Sequence, residues 1–353
     1  MAWRELSPDD LDGLRNPLII DVRSPCEYAE ERIPEAVNIP LLSDDERAVI
    51  GTIYKESGEL KARRHALSLI SPKIPALIDE ILSLKEHSQS LVVHCWRGGL
   101  RSEAVVSVLS IAGITSLRLT GGYKAWRSMV LRDLNEDRYS FNAIVLHGLT
   151  GAGKTEILNA LARLGCSVLD LEDIARHRGS AFGGLGLGEQ PTQKNFDAEL
   201  WKRLKLLDRS KPVFLEGESR KIGRLALPTP LYKRILHGTA VHVQGSLEHR
   251  ANRISAEYLS ACSSEESALS DSLQMLANIK ERVGKVRAEE IAELAKRGEI
   301  LEAVRVLLLE YYDPLYGKSI KGRKFQFSIC SDDPDSAAMQ LKDWSLATTL
   351  QQT

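Results

Sequence analysis

No run of the 353-residue chain approaches the roughly 18 consecutive apolar residues that a membrane helix needs. The opening stretch from Met1 to Asp10 is acidic and holds no apolar run, which is not the pattern of a secretory signal. Cysteine is scarce. The five present (Cys26, Cys95, Cys166, Cys262 and Cys330) are odd in number and widely spaced, with no C-x-x-C. That argues against a disulfide framework and a thiolate zinc site, and points to a reducing cytoplasm. Net charge is missing too: 47 Lys and Arg against 48 Asp and Glu leave −1. The two signs nearly cancel on either side of residue 135, so neither half is a basic glove for nucleic acid. A polyanionic partner would have to be held by local patches. Internal repeats and low-complexity tracts are also lacking.

What is present is ordinary globular composition, 43% hydrophobic and 27% charged, in a length that suggests two or three domains of about 150 residues. Short apolar runs alternate with amphipathic stretches. Leu18–Val22, Leu91–His94 and Leu117–Leu119 read as strands, and 74–86 and 103–112 as helices. A β-like piece, Arg32–Pro40, is bracketed by proline. Residues 131–141 are polar and read as a linker. Beyond it, 142–147, 167–172, 212–216 and 240–244 read as strands of a second sheet, and 183–190 as a mobile glycine-rich loop. After about residue 245 the spacing of Ile291, Leu294, Leu301, Val304, Leu308 and Tyr311 turns helical, with Arg297-Gly-Glu299 as a turn. Strands alternating with helices imply parallel α/β sheets. The expected order is an α/β domain over 1–130, a linker over 131–141, a second α/β domain over 142–244, and a mostly helical region over 245–353 that packs on it.

The first chemical constellation is Cys95-Trp-Arg-Gly-Gly-Leu-Arg-Ser102. A buried strand ends at Cys95 and a helix begins just beyond, so its sulfur lies at a helix N-terminus, where backbone N–H groups and the dipole favour an anion. Arg97 and Arg101 add positive charge, and Gly98 and Gly99 allow amides to turn inward. Together with Ser102 they form an anion cradle that favours the nucleophilic thiolate. Cys166 and Cys330 lie beside apolar strands and read as packing residues. Cys26 is an uncertain second thiol on the Asp21 loop.

Asp21-Val-Arg-Ser-Pro-Cys-Glu-Tyr28, Arg32–Pro40, the Cys95 loop and Leu119-Thr-Gly-Gly-Tyr-Lys-Ala-Trp126 resemble, in that order, the rhodanese domain over about 5–130. The resemblance implies that Cys95 carries sulfur or selenium. The loop from Cys95 to Arg101 spans seven residues, one more than sulfur-transferring rhodaneses have, and matches His-Cys-x5-Arg-Ser of cysteine-dependent phosphatases. A wider cradle suits a tetrahedral phosphate-like group, which leaves open chalcogen transfer from such a donor or phosphoester hydrolysis.

The second constellation, Gly148-Leu-Thr-Gly-Ala-Gly-Lys-Thr155, fits the phosphate-loop pattern in full, after a strand and before a helix. Gly148, Gly151, Ala152 and Gly153 can wrap a diphosphate with backbone N–H groups. Lys154 can reach its outer oxygens, and Thr155 is a candidate Mg²⁺ ligand. Asp170, Glu172 and Glu216, at ends of apolar strands, are candidates to orient Mg²⁺ or act as acids; each could equally cap a helix or pair with an arginine. Arg176, Arg178, Arg220, Lys221 and Arg224 lie in short basic, glycine-containing clusters that suit a phosphate backbone. A third such cluster spans Lys318–Lys324.

A rhodanese-like domain followed by a phosphate-loop domain resembles the tRNA 2-selenouridine synthase family. The resemblance spans nearly the whole chain and includes Leu169-Asp-Leu-Glu172, His177–Gly183, Glu216-Gly-Glu-Ser-Arg-Lys-Ile-Gly223 and Tyr311-Tyr-Asp-Pro-Leu-Tyr316. It implies replacement of sulfur by selenium in wobble 2-thiouridine of tRNA. The donor is selenophosphate, supplied by a selenophosphate-producing enzyme, and the route runs through an S-geranyl intermediate made from geranyl diphosphate. Both donors are co-substrates; no tightly bound cofactor and no membrane partner are expected. Two other classes fit the motifs: a P-loop kinase or NTPase with a regulatory rhodanese module, and a cysteine phosphatase fused to a nucleotide-binding domain.

Overall fold

The computed structural model describes residues 3–85, 90–179, 183–184, 187–261 and 284–350. The chain divides into two compact units. Unit 1 takes residues up to Glu136 together with Thr192–Lys202, and unit 2 takes Asp137–Pro191 and everything from Arg203 on.

In unit 1, β1 (Trp3–Leu6), β2 (Leu18–Asp21), β3 (Val37–Asn38), β4 (Leu91–His94) and β5 (Ser116–Leu119) form a wholly parallel sheet in the order β1-β5-β4-β2-β3. Parallel sheets are covered on both faces, which is why β2 and β4 read as continuous apolar runs. Ile20, Val93, Val106, Leu109 and Ile81 meet in its core, and burying each is worth about 1.5–3 kcal/mol. The helix Asp44–Ser57 starts at a capping box: the Glu46 N–H donates to the Ser43 hydroxyl at 3.2 Å, and the Ser43 N–H to the Glu46 carboxylate at 2.8 Å.

The expected linker over 131–141 begins as helix instead. The helix Gly122–Asn135 runs through its first five positions, with Val130, Asp133 and Leu134 buried. Polarity misleads here because Asp133 is a buried acceptor: the Trp201 indole N–H donates to it at 3.1 Å. Trp201 comes from the helix Gln193–Leu206, whose first ten residues belong to unit 1. Its ring meets Trp126 edge-on at 5.9 Å, and Asp197 pairs with Arg127 at 2.5 Å. The phosphate-loop domain therefore does not own all of 142–244.

In unit 2, β6 (Ala143–His147), β7 (Ser167–Leu169) and β8 (Val213–Glu216) are followed by an antiparallel hairpin of β9 (Lys221–Ile222) and β10 (Leu225–Ala226). β11 (Thr239–Gln244) and β12 (Phe327–Cys330) complete a parallel sheet in the order β12-β11-β6-β8-β7. The edge strand β12 comes from the region expected to be mostly helical. Cys330 on it is exposed, not packed; Cys166 does border the core, and Cys262 lies outside the described residues. The helices Lys154–Arg163 and Pro334–Leu350 cover one face of this sheet through Leu158, Leu161, Ala337, Ala338 and Leu341. The helical pattern near 291–311 forms a separate apolar cluster with Ala251 and Ile254, and the turn at 297–299 is present. Of the glycine-rich stretch 183–190, residues 185 and 186 lie outside the described residues. Among the described residues no helix is long and apolar enough to cross a membrane.

Trp201→Ala removes a 5%-exposed ring and leaves Asp133 without its indole donor. The expected cost is about 3–5 kcal/mol. Hydrogen exchange at the β2 and β4 amides should speed up accordingly, although the substitution lies far from them in sequence.

Candidate functional site

The aligned ends of β2 and β4, where Asp21 pairs in register with His94, place the Cys95 loop beside the Asp21 loop. Beneath it lies a buried polar group. The Arg23 guanidinium donates to both Asp21 carboxylate oxygens at 2.6–3.0 Å and to the Glu31 carbonyl at 2.6 Å. It also sits 4.4 Å from the centre of the Tyr123 ring. His94 is fully buried; burial holds its imidazole below the usual range, against the opposing pull of Asp21 at 3.7 Å. Cys95 is buried at the loop's base, with its Sγ 3.3 Å from the Ser102 hydroxyl. The helix Leu100–Ile111 starts just beyond, as expected. Gly122, at φ +59°, is held by the loop's closeness: a Cβ there would lie 2.2 Å from the Cys95 carbonyl and 2.4 Å from the Gly98 nitrogen. The Tyr123 N–H then donates to the Cys95 carbonyl at 2.9 Å.

The two arginines of this loop part company. Arg97 is exposed. Arg101 is spent on Glu27, with contacts of 2.6 and 3.3 Å. Burial raises the Glu27 carboxyl, but the Arg101 bonds outweigh it and hold the group below its usual range. Cys26 is exposed on the neighbouring helix, its N–H donating to Asp44.

In unit 2 the loop Gly148–Thr155 leaves the central strand β6 and enters the helix Lys154–Arg163. Two arginines of the helix Leu247–Ala261 hold it from outside. Arg250 donates to the Thr150 carbonyl at 2.9 Å and to both Asp313 oxygens, at 2.5 and 3.1 Å. Arg253 donates to the Gly151 carbonyl at 2.7 Å and pairs with Glu156 at 2.5 Å. Gly153, at φ +79°, holds a left-handed backbone conformation that other residues rarely adopt, with the Arg253 guanidinium close by.

The loop opens into a cavity of about 550 Å³. Its lining includes the polar Lys154, Thr155, Glu172, Glu218, Arg178, His147, Arg253 and Arg323, and an apolar, aromatic wall of Tyr232, Ile235 and Leu236 from the helix Thr229–His237 with Tyr312, Leu315, Tyr316 and Ile320. Of the expected acids, only Glu172 lines this space. Asp170 caps the helix Leu171–Ala175, accepting the Asp173 N–H at 2.8 Å, and Glu216 accepts the Leu171 N–H at 3.2 Å. Glu172 accepts the Thr155 hydroxyl at 3.1 Å. Burial and the neighbouring Glu218 charge push its carboxyl up to about 8, against the pull of Lys154. Burial raises the Glu218 carboxyl as well, against the pull of Lys154 and a hydrogen bond with Glu172. His147 is lowered to about 3 by burial, then by Arg323 and Lys154, and faces the cavity as a neutral ring. Among the described residues no three Asp, Glu, His or Cys side chains are grouped to hold a metal ion. An all-oxygen pair, Thr155 and Glu172, is nonetheless suited to Mg²⁺ arriving with a diphosphate.

Arg178 reaches the cavity, whereas Arg176 caps its helix in a left-handed conformation at φ +48°. Arg220 and Lys221 are exposed at the β9–β10 hairpin, and Arg224 bonds Gln190 and Glu189. Sequence reasoning missed Glu218, His147, Arg250, Arg253 and the aromatic wall as site residues. The spacing Glu216-x-Glu218 past a strand end was a usable signal. The wall was not visible, because it gathers side chains from segments about 80 residues apart.

Fold and site together define a two-unit α/β protein with a cysteine anion loop in one unit and a phosphate loop in the other. A family model described as the tRNA 2-selenouridine synthase AAA domain matches residues 141–347, and a rhodanese-like domain model matches 7–129. A relative in Bdellovibrio bacteriovorus named tRNA 2-selenouridine synthase is 32% identical, over 92% of this chain and 94% of its own. One of the same name in Ectopseudomonas mendocina is 34% identical, over 84% and 86%. The chain belongs to the tRNA 2-selenouridine synthase family, and its first unit is the expected rhodanese-like domain.

The raised Glu172 carboxyl has a consequence for stability. Its contribution is fully present below the unfolded value of about 4.3 and is lost as pH rises through about 8. His147 acts in the opposite sense up to its unfolded value of about 6.5, so in ligand-free, metal-free buffer the melting temperature should fall between about pH 7 and pH 8.5. Glu172→Gln should remove part of that slope; a variant that keeps all of it would contradict the assignment.

Proposed function

We propose that this chain replaces the sulfur of wobble 2-thiouridine in tRNA by selenium, in the cytoplasm, using geranyl diphosphate and selenophosphate in turn. The relatives' shared name supports the tRNA substrate and the selenouridine product. One observation supports the finer reading: a phosphate loop and a set of apolar, aromatic side chains line one cavity. Geranyl diphosphate joins those two characters in one molecule, a charged head and a branched hydrocarbon tail. The loop amides and Lys154 would take the diphosphate, and Thr155 and Glu172 would hold Mg²⁺, which supplies added charge neutralisation. The tail would lie on the wall.

The order of steps follows from the chemistry. A thiocarbonyl sulfur leaves poorly, whereas an S-alkylated sulfur leaves as a thiol. Cys95 would then take or present selenium, with the amides of its loop and Arg97 receiving the phosphate-shaped donor delivered by a selenophosphate-producing enzyme. Arg178, Arg220 and Lys221 are the proposed contacts to tRNA phosphates. With no bulk positive charge to help, those contacts carry the salt dependence of binding.

Nucleoside analysis of tRNA from cells with and without the protein tests the reading; 2-selenouridine should disappear in its absence. Cys95→Ser should abolish selenium incorporation while S-geranyl-2-thiouridine still forms. Full selenation by that variant would move the role elsewhere. Lys154→Ala should slow geranylation first. A charge-assisted bond to the departing diphosphate is worth about 1.5–3 kcal/mol, or roughly tenfold to a hundredfold in rate. Steady tRNA-stimulated ATP hydrolysis by the unchanged chain, abolished by Lys154→Ala, would favour an NTPase instead.

A further inference from the structure

The block Tyr311-Tyr-Asp-Pro-Leu-Tyr316 supplies three residues of the wall proposed to receive the tail, and its rings offer more than apolar contact. Residues Leu308–Tyr312 are wound as a π-helical segment that runs into the helix Asp313–Lys321. Such segments are rare and often mark functional sites. Leu308, Tyr311 and Tyr312 pack into the helical cluster with Ile291 and Val304, and Tyr316 packs against it; of these, Tyr312 and Tyr316 also line the cavity. Their rings are nearly parallel, 14° apart, with centroids 6.2 Å apart. Asp313, between them in sequence, receives Arg250, whose other contact is the Thr150 carbonyl of the phosphate loop. The Arg250 side chain is 4% exposed. One buried guanidinium thus holds the aromatic segment in register with the loop.

An allylic diphosphate has two charges to accommodate as its C1–O bond stretches. Negative charge collects on the diphosphate, where Lys154 and the loop amides lie. Positive charge spreads over the allylic carbons. A carboxylate could capture that cation as an ester, whereas an aromatic face attracts it without bonding to it. Resting on the reading of this cavity as a prenyl diphosphate site, we propose that Tyr312 and Tyr316 stabilise the allylic cation during transfer to sulfur. The substrate class is then restricted to allylic diphosphates. In the step, the C1–O bond breaks and the diphosphate leaves with its electron pair. The thiocarbonyl sulfur supplies a pair to C1 to form the C–S bond, and the N3 proton of the base passes to water.

The test uses the full chain with tRNA bearing 2-thiouridine, under single-turnover conditions. Tyr316 is half-buried and tolerates change better than Tyr312. Tyr316→Leu should slow geranyl transfer by roughly 5- to 30-fold, the scale of one cation–π contact. The KM for geranyl diphosphate should change far less, and Tyr316→Phe should restore the rate. A second measurement needs no variant: citronellyl diphosphate, which lacks the allylic double bond, should compete for the site but yield no S-alkyl nucleoside. The proposal is overturned if Tyr316→Leu reacts as fast as the unchanged chain, or if only its KM rises. A rise confined to the tRNA KM would place the ring on the nucleoside base. Turnover of the citronellyl compound would overturn it as well. If the unchanged chain makes no S-geranyl nucleoside at all, the prenyl diphosphate reading itself falls, and the proposal with it.

Discussion

Parallel strands must be joined by crossovers, so every strand of each sheet ends at the same edge. Cys95 and Gly148 are each the first residue past such an end, after β4 and β6. Both follow a buried histidine that burial keeps neutral, His94 and His147. Both lead into a helix, so the two loops share one physical device: a helix start, whose first N–H groups have no partner within the helix, placed where the sheet stops. Much of the remaining structure keeps that edge in shape. Asp21 aligns with His94 in the first unit, and β8 and β11 flank β6 in the second.

Loops of this kind need support, because they lack the regular hydrogen-bond ladder of a strand or helix. Each unit solves this with buried arginines. Arg23 in unit 1 is held by Asp21 and covered by Tyr123, and Arg250 in unit 2 ties the phosphate loop to Asp313. Removing one partner of such a pair typically costs about 3–5 kcal/mol, since the other charge stays buried. Arg101 has a supporting contact of its own: its guanidinium donates to Glu27, and its charge also acts on Cys95.

Chemistry-bearing loops were legible because they are local. A thiol after an apolar strand, followed by two glycines and an arginine, and eight residues of phosphate-loop pattern, each carry their geometry in consecutive residues. Asp170 and Glu216 illustrate the limit. Both stand at strand ends, where an acid beside Mg²⁺ would also stand, but one caps a helix and the other bonds the backbone of Leu171. Only their three-dimensional neighbours distinguish the roles. The polar stretch after residue 130 failed for a related reason: a buried Asp133 looks solvent-facing until Trp201 is placed against it.

The sequence by itself determined the two α/β units with parallel sheets and the strand-to-helix turns at Cys95 and Gly148, since these depend on hydrophobic period, glycine placement and short motifs. Tertiary structure alone decided which residues share the cavity. Glu218 is brought beside Glu172, and Tyr232 into one cavity with Tyr312 and Tyr316, by chain crossings that no local pattern encodes. It also assigned Thr192–Lys202 to the first unit. The physical reason is common to all three: burial and charge pairing act between residues distant in sequence, and only the folded chain makes them neighbours.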